Sequence, residues 1–247
     1  MKVYATTQIG VGKTVCDDSV LVNDVILNND SVDICDAEIK MICVADGVGG
    51  NSGGKDVSQF VLNQLASISD INDIDDLKTK LLYINDELIS YSKKEVDKNQ
   101  MATTLTGIAK CNDKLLLFHV GNTRLYAMQG SYLKQISKDH TTYQYLMMRG
   151  CYEEAEACNK NEIMYCFGGG NGSFASGLTV CEIYDGEIPK TLVLTSDGIH
   201  DYVSIDDIEE IIAREEDDSV IADRLISKAR ENGSTDDASI VLIRSDI

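Results

Sequence analysis

The chain has 247 residues, with 22 Lys and Arg against 41 Asp and Glu, a formal net charge of −19. That length supports one large or two small domains with a sizeable core, and 43% hydrophobic with 26% charged residues excludes wholesale disorder. The acidic excess repels nucleic acid and anionic membrane surfaces, so neither is an expected partner, and no apolar run nears the ~20 residues of a transmembrane helix.

In chain order, β-branched runs predict strands at Val3 to Ile9, Val20 to Leu27 and Ile39 to Ala45. Two helices follow. Val57, Phe60, Val61 and Leu65 recur at helical spacing, and Leu77, Leu81, Ile84, Leu88 and Tyr91 trace one face from Ile74 to about Val96. Strands return at Ala102 to Lys110, Leu115 to Val120, Arg124 to Met128, Leu178 to Tyr184 and Thr191 to Thr195. Helices at Ile205 to Glu215 and Ser219 to Asn232 precede a last strand, Ala238 to Arg244, and Gly233 suits the helix stop. Strands come as consecutive pairs between helix pairs, so the fold class is α+β, with antiparallel sheets flanked by helices. With one proline and no linker-like stretch, residues 1–247 read as one domain.

Met1-Lys2-Val3-Tyr4 lacks the charge and apolar core of a signal peptide. The eight cysteines (16, 35, 43, 111, 151, 158, 166 and 181) form no C-x-x-C pair. Scattered thiols suit a reducing compartment, so zinc is not expected and a cytoplasmic location is. Two glycine-rich segments imitate nucleotide sites. Gly10-Val11-Gly12-Lys13-Thr14 lacks the P-loop's first glycine, because Thr7 stands there. Gly168-Gly169-Gly170-Asn171-Gly172 leads toward a strand instead of the helix that would hold a pyrophosphate.

Four segments place aspartates at strand ends: Cys16-Asp17-Asp18, Ala45-Asp46-Gly47-Val48-Gly49-Gly50, Ser196-Asp197-Gly198 and Ser234-Thr235-Asp236-Asp237. A carboxylate there, followed by glycine, is firmly placed and leaves its backbone carbonyl accessible. If the four converged they would suit two hard ions such as Mg²⁺ or Mn²⁺, which prefer oxygen donors and lower the pKa of bound water. Asp-Gly pairs also mark ordinary turns, and spacing alone leaves both readings open.

Taken in order, these segments, with Met101-Ala102-Thr103-Thr104, Val120-Gly121-Asn122-Thr123-Arg124, Ser137-Lys138-Asp139-His140-Thr141 and Ser196-Asp197-Gly198-Ile199, resemble the metal-dependent protein phosphatases of the PP2C (PPM) family, small bacterial type. The resemblance spans nearly the whole chain. It implies a four-layer α-β-β-α sandwich and hydrolysis of phosphoserine and phosphothreonine on cytosolic proteins by metal-activated water. Position by position it implies that Asp46 bridges two Mn²⁺ or Mg²⁺ ions and that the Gly47 carbonyl binds one. Asp197 and Asp236 would bind the other, and Asp18 would act through a water. Residues 142–166 would form the flap that influences substrate choice, as helix, turn, helix and extended return. The expected partners are phosphorylated proteins, targets of cytosolic kinases, and the expected state is a monomer.

The sequence departs from the family at several points. Lys13 replaces the phosphate-binding arginine, and a point charge without the two-pronged donor should cost ~1–2 kcal/mol at a bidentate site. Cys16 replaces an asparagine and reads as a small buried filler. Asn122 replaces the aspartate of a third, loosely held metal, so that site should be weak or absent. Asp237 replaces an asparagine and adds a charge that would either tighten metal binding or repel phosphate. Val48 stands where eukaryotic relatives carry a general-acid histidine, so water should protonate the leaving group. Of the three histidines, His119 reads as core, His140 as ordering a turn and His200 as a minor candidate acid or base. Lys13, Cys16 and Asn122 together carry the alternative, a pseudophosphatase that binds phosphoproteins as a regulatory module.

Overall fold

A computed structural model describes residues 1–48, 53–93, 101–169, 174–183 and 189–245. In chain order the elements are β1 (Lys2–Gln8), β2 (Asp18–Val22), β3 (Val25–Leu27), β4 (Ser31–Ile34), β5 (Met41–Val48), α1 (Gly53–Ala66) and α2 (Ile74–Ser92). Then come β6 (Ala102–Thr103), β7 (Leu105–Cys111), β8 (Lys114–Val120), β9 (Arg124–Gln129), β10 (Tyr132–Gln135), α3 (Thr142–Arg149) and α4 (Tyr152–Ala157). The rest are β11 (Phe167–Gly168), α5 (Phe174–Gly177), β12 (Thr179–Glu182), β13 (Thr191–Thr195), α6 (Asp197–His200), α7 (Ile205–Arg214), α8 (Asp218–Glu231) and β14 (Ala238–Arg244). One sheet runs β10-β9-β13-β14-β1-β4, and the other runs β11-β6-β5-β7-β8-β12 with β2 joining β5 to β3. The pairs are antiparallel, as expected.

Strand parity builds the layers. On β5, Met41, Cys43 and Ala45 join Val57, Leu62, Leu77 and Leu81 of α1 and α2, while Ile42 and Val44 point the other way. There they meet Val3 and Ala5 of β1 and Val241 and Ile243 of β14 in the core between the sheets. Ile240 and Leu242 of β14 turn outward to Ile208 of α7 and Leu225 of α8. Three apolar clusters thus fill three interfaces between four layers, with strands buried on both faces. Each fully buried Leu, Ile or Val contributes ~1.5–3 kcal/mol before chain entropy is charged against it.

The expected strand Val20 to Leu27 is instead a hairpin, because Asn23 takes φ +58° and reverses the chain. The short strands β4, β10 and β11 carry too few apolar residues to be read from sequence. β4 and β10 lie at sheet edges, where one neighbouring strand suffices. Helix α2 begins at the Asp73 cap, whose side chain accepts from the Asp76 amide. The expected end of α2 near Val96, the residues Gly49 and Gly50, most of the 168–172 glycine run and Tyr184 lie outside the described residues. At Gly10 to Lys13 the chain makes a turn, with Gly12 at φ +79° and the Lys13 amide bonded to the Gly10 carbonyl, and it leads into β2 and not a helix.

Candidate active site

The antiparallel order brings the four acidic segments to one end of the sandwich. Asp18 opens β2 directly opposite Asp46 on β5. Asp197 follows β13 and Asp236 precedes β14, and these two strands pair through Thr195 and Ile240. Two serines join the sheets. The Ser239 hydroxyl donates to Asp18 at 2.6 Å, and the Ser239 amide donates to the Ser196 hydroxyl at 2.9 Å. Glycine permits the closest approaches: a Cβ on Gly198 would lie 2.0 Å from the Asp237 carbonyl oxygen, and one on Gly47 2.0 Å from that of Gly54.

A cleft of about 580 Å³ opens at this end, lined by Lys13, Asp46, Gly47, Asp197, Asp236 and, from the stretch after α4, Asn161, Ile163 and Cys166. Asp18 is 1% exposed and sits behind the lining. The backbone of Asp46 is pinned from both sides, its amide donating to Thr104 Oγ1 at 3.1 Å and its carbonyl accepting from Thr103 Oγ1 at 2.9 Å. That is the work of the 101–104 motif, to which sequence reasoning had given no role. Burial and the neighbouring Asp197, Asp18 and Asp236 push the Asp46 carboxyl well above the usual range. Burial and Asp236 push Asp197 up to about 6, against a hydrogen bond from Asn122 Nδ2 at 3.0 Å. Asp18 is raised by burial, against hydrogen bonds from Ser239 and Ser196.

Such mutual repulsion is a poor way to hold a fold and a good way to hold cations. The donors are hard oxygens. Among the described residues no three His, Cys, Asp or Glu side chains close around one point. Mg²⁺-like ions keep several waters and take few carboxylates each, so they do not require a closed cage of side chains. The donor set therefore fits hard divalent ions.

The profile of the protein phosphatase 2C family matches residues 19–225. The chain belongs to that family of protein serine/threonine phosphatases. The serine/threonine phosphatase stp of Listeria monocytogenes serotype 4b is 28% identical over 218 residues, covering 84% of this chain and 85% of its own. PstP of Mycobacterium tuberculosis is 32% identical over 222 residues, 87% of this chain and 41% of PstP. The crystal structure of the Mycobacterium tuberculosis phosphatase PstP/Ppp matches with a TM-score of 0.78 across 100% of both chains at 27% identity. A PstP catalytic domain in complex with two manganese ions matches with a TM-score of 0.74 over 98% of each chain at 27% identity.

Other side chains of this phosphatase refine the sequence reading. Lys13 reaches the cleft with Nζ 2.5 Å from Asp236 Oδ1 and 3.0 Å from Asp237 Oδ2. Burial alone would lower its pKa, but the hydrogen bonds and the negative charges of Asp236 and Asp237 together raise it. Asp237 neither faces the cleft nor stands alone: it is 2% exposed and fully engaged by its own loop partners. Cys16 is buried, its Sγ 3.9 Å from Thr7 Oγ1 and 3.5 Å from the Asp18 carbonyl, as a filler would be.

The histidines are structural. His119 is buried between Thr106 and the Lys138 carbonyl, and His140 Nδ1 accepts from the Gly121 amide. His200 turns back to Thr195 Oγ1 at 2.7 Å, and burial lowers its pKa well below the usual value, so it supplies no acid or base to the cleft.

Residues 142–166 form a helix, a turn, a second helix and an extended return. Gly150 at φ +74° separates α3 from α4, and Ile163 returns to pair with Thr141. Asn161 Nδ2 ties this stretch to Asp201, just beyond α6, at 2.7 Å.

Proposed function

We propose that this phosphatase is a catalytically active, metal-dependent enzyme that hydrolyses phosphoserine and phosphothreonine on cytosolic proteins. Residues 1–247 then act as one catalytic domain, with 142–166 as its flap. The observation that carries the reading is the convergence of Asp46, Asp197 and Asp236 on one cleft, with Asp18 paired opposite Asp46 behind it. A phosphoprotein-binding module gains nothing from three like charges raised against a fourth. A two-cation centre requires them.

In this reading Asp46 would be shared by two Mn²⁺ or Mg²⁺ ions, with the Gly47 carbonyl on one and Asp197 and Asp236 on the other. Asp18, fixed by Ser239 and Ser196, would orient a water from behind the cleft. When bound, the ions supply Lewis-acid neutralisation of phosphoryl charge and a lowered pKa for water. Lys13 spends two of its three N–H donors on Asp236 and Asp237, and the third holds a phosphoryl oxygen. Val48 carries no proton to donate, so the departing alkoxide takes one from solvent. Asn122 donates to Asp197 in place of adding a carboxylate, which leaves a third cation weakly held or absent.

The test is turnover of p-nitrophenyl phosphate and of a phosphothreonine peptide with Mn²⁺, with Mg²⁺ and with EDTA. Metal-dependent turnover of both is expected. Folded protein that binds Mn²⁺ and turns over neither would establish the pseudophosphatase instead.

A further inference from the structure

We infer that Asp237 is a positioning residue: its buried carboxylate shapes the loop between β1 and β2 and thereby sets the Lys13 ammonium at the rim of the cleft. The inference rests on the reading of Lys13 as the phosphate contact. Asp237 Oδ1 accepts from the Gly10 amide at 2.7 Å. Oδ2 accepts from the Asp17 amide at 2.7 Å and from Lys13 Nζ at 3.0 Å. One side chain thus holds the loop near its start, at the lysine and at its end, just before Asp18. The loop lies hard against the 235–237 backbone, since a Cβ on Gly10 would come within 2.3 Å of the Thr235 carbonyl oxygen.

Every partner of this carboxylate in the loop is a donor, and a carboxylate is acceptor-only at both oxygens. An amide at 237 would accept at one end and present N–H₂ at the other. Placed either way, it sets donor against donor, at Gly10 or at Asp17 and Lys13 together. The loop as built therefore requires aspartate and not asparagine. The requirement is matched to lysine, because the ammonium occupies a site where a negative charge already waits. Asp17 Oδ2, 4.0 Å from the same ammonium, completes an anionic collar on its protein side. The role is one of placement. Asp237 is 2% exposed and does not line the cleft.

The test compares wild type, Asp237→Asn, Lys13→Gln and the double variant, all loaded with Mn²⁺, with inorganic phosphate as competitive inhibitor of p-nitrophenyl phosphate hydrolysis. Lys13→Gln should raise the phosphate inhibition constant about tenfold. Asp237→Asn should raise it nearly as much, and the double variant no further than the larger single effect. Manganese affinity by calorimetry should change less than about threefold in Asp237→Asn. Without any metal, hydrogen exchange at the Gly10 and Asp17 amides should quicken at least tenfold in Asp237→Asn while Ile240 and Val241 stay protected.

A silent Lys13→Gln sinks the phosphate reading of Lys13. An active Lys13→Gln with a silent Asp237→Asn, or with effects that multiply in the double variant, sinks the positioning role. So does a loss of manganese affinity matching the loss of phosphate affinity, which would place the action of Asp237 in Asp236. If Asp237→Asn does not fold, exchange in the wild type decides: Gly10 and Asp17 amides as slow as those of β14 support the inference, and unprotected amides overturn it.

Discussion

Two buried ionic networks stand at the loop end of the sandwich, and they are built on opposite principles. Arg124 on β9 meets Asp139 in a two-pronged pair, with Nε 3.0 Å from both carboxylate oxygens and Nη2 2.6 Å from Oδ2, and Gln135 adds a further bond to Oδ1. There charge is balanced and the donors are spent. Around Asp46, Asp18 and Asp197, carboxylates are raised against each other, and Lys13 at the rim only partly offsets them. A fold that needs only stability pairs its buried charges. One that leaves them in excess is holding a place for something positive.

The contrast breaks most visibly at Asp46. Replacing it by Asn should cut turnover by at least ~10³-fold, because an amide is a poor donor to a hard ion. The same change should stabilise the metal-free protein, because it removes a buried carboxyl whose ionisation burial, Asp197, Asp18 and Asp236 all oppose. Urea unfolding in EDTA reads the second effect. Loss of stability there would mean that the cluster is structural, and unchanged turnover would remove the two-metal assignment.

Arg124→Leu should do the reverse. It strands the Asp139 carboxylate, whose side chain is 9% exposed, and should cost ~3–5 kcal/mol of unfolding free energy. Asp139→Asn in the same background should recover part of that loss by removing the stranded charge. An Arg124→Leu protein as stable as wild type would show that the pair contributes nothing, and the contrast with the Asp46 cluster would collapse.

How much of this was legible in the sequence follows from how local each cause is. The acidic residues were legible, because Asp18, Asp46, Asp197 and Asp236 each sit at the end of an apolar run beside a turn. The layers were legible too, since strand parity and helix period are properties of short windows. Asp237 was visible as a departure, but not what it does, because its partners Gly10 and Asp17 lie more than two hundred residues away. The family resemblance implies a phosphate role for Lys13, but nothing in its sequence neighbourhood announces the bonds to Asp236 and Asp237. His200 stood close to Asp197 in the chain, but the hydroxyl of Thr195 turns the ring inward. Asn23 is the one local signal missed: an Asn-Asp pair inside a β-branched run marks a hairpin turn.

The histidines sharpen the comparison from the balanced side, by a smaller effect. Burial pushes His119 down to about 3 and His140 down to about 4, and it depresses His200 as well. An unfolded chain takes up these protons near pH 6.5, while the folded chain refuses them until far lower. The unfolded state therefore binds more protons as pH falls below about 6.5, and stability drops by ~1.4 kcal/mol per pH unit for each histidine until its folded pKa is reached. Acid acts on the Asp46 cluster in the opposite sense, because protonation relieves repulsion there. The two contributions separate by proton NMR. The three imidazole C–H resonances should hold their neutral positions from pH 8 down to pH 5 while unfolding midpoints already fall. An imidazole that titrates near pH 6.5 in the folded protein would place that ring in solvent, and its share of the acid sensitivity would disappear.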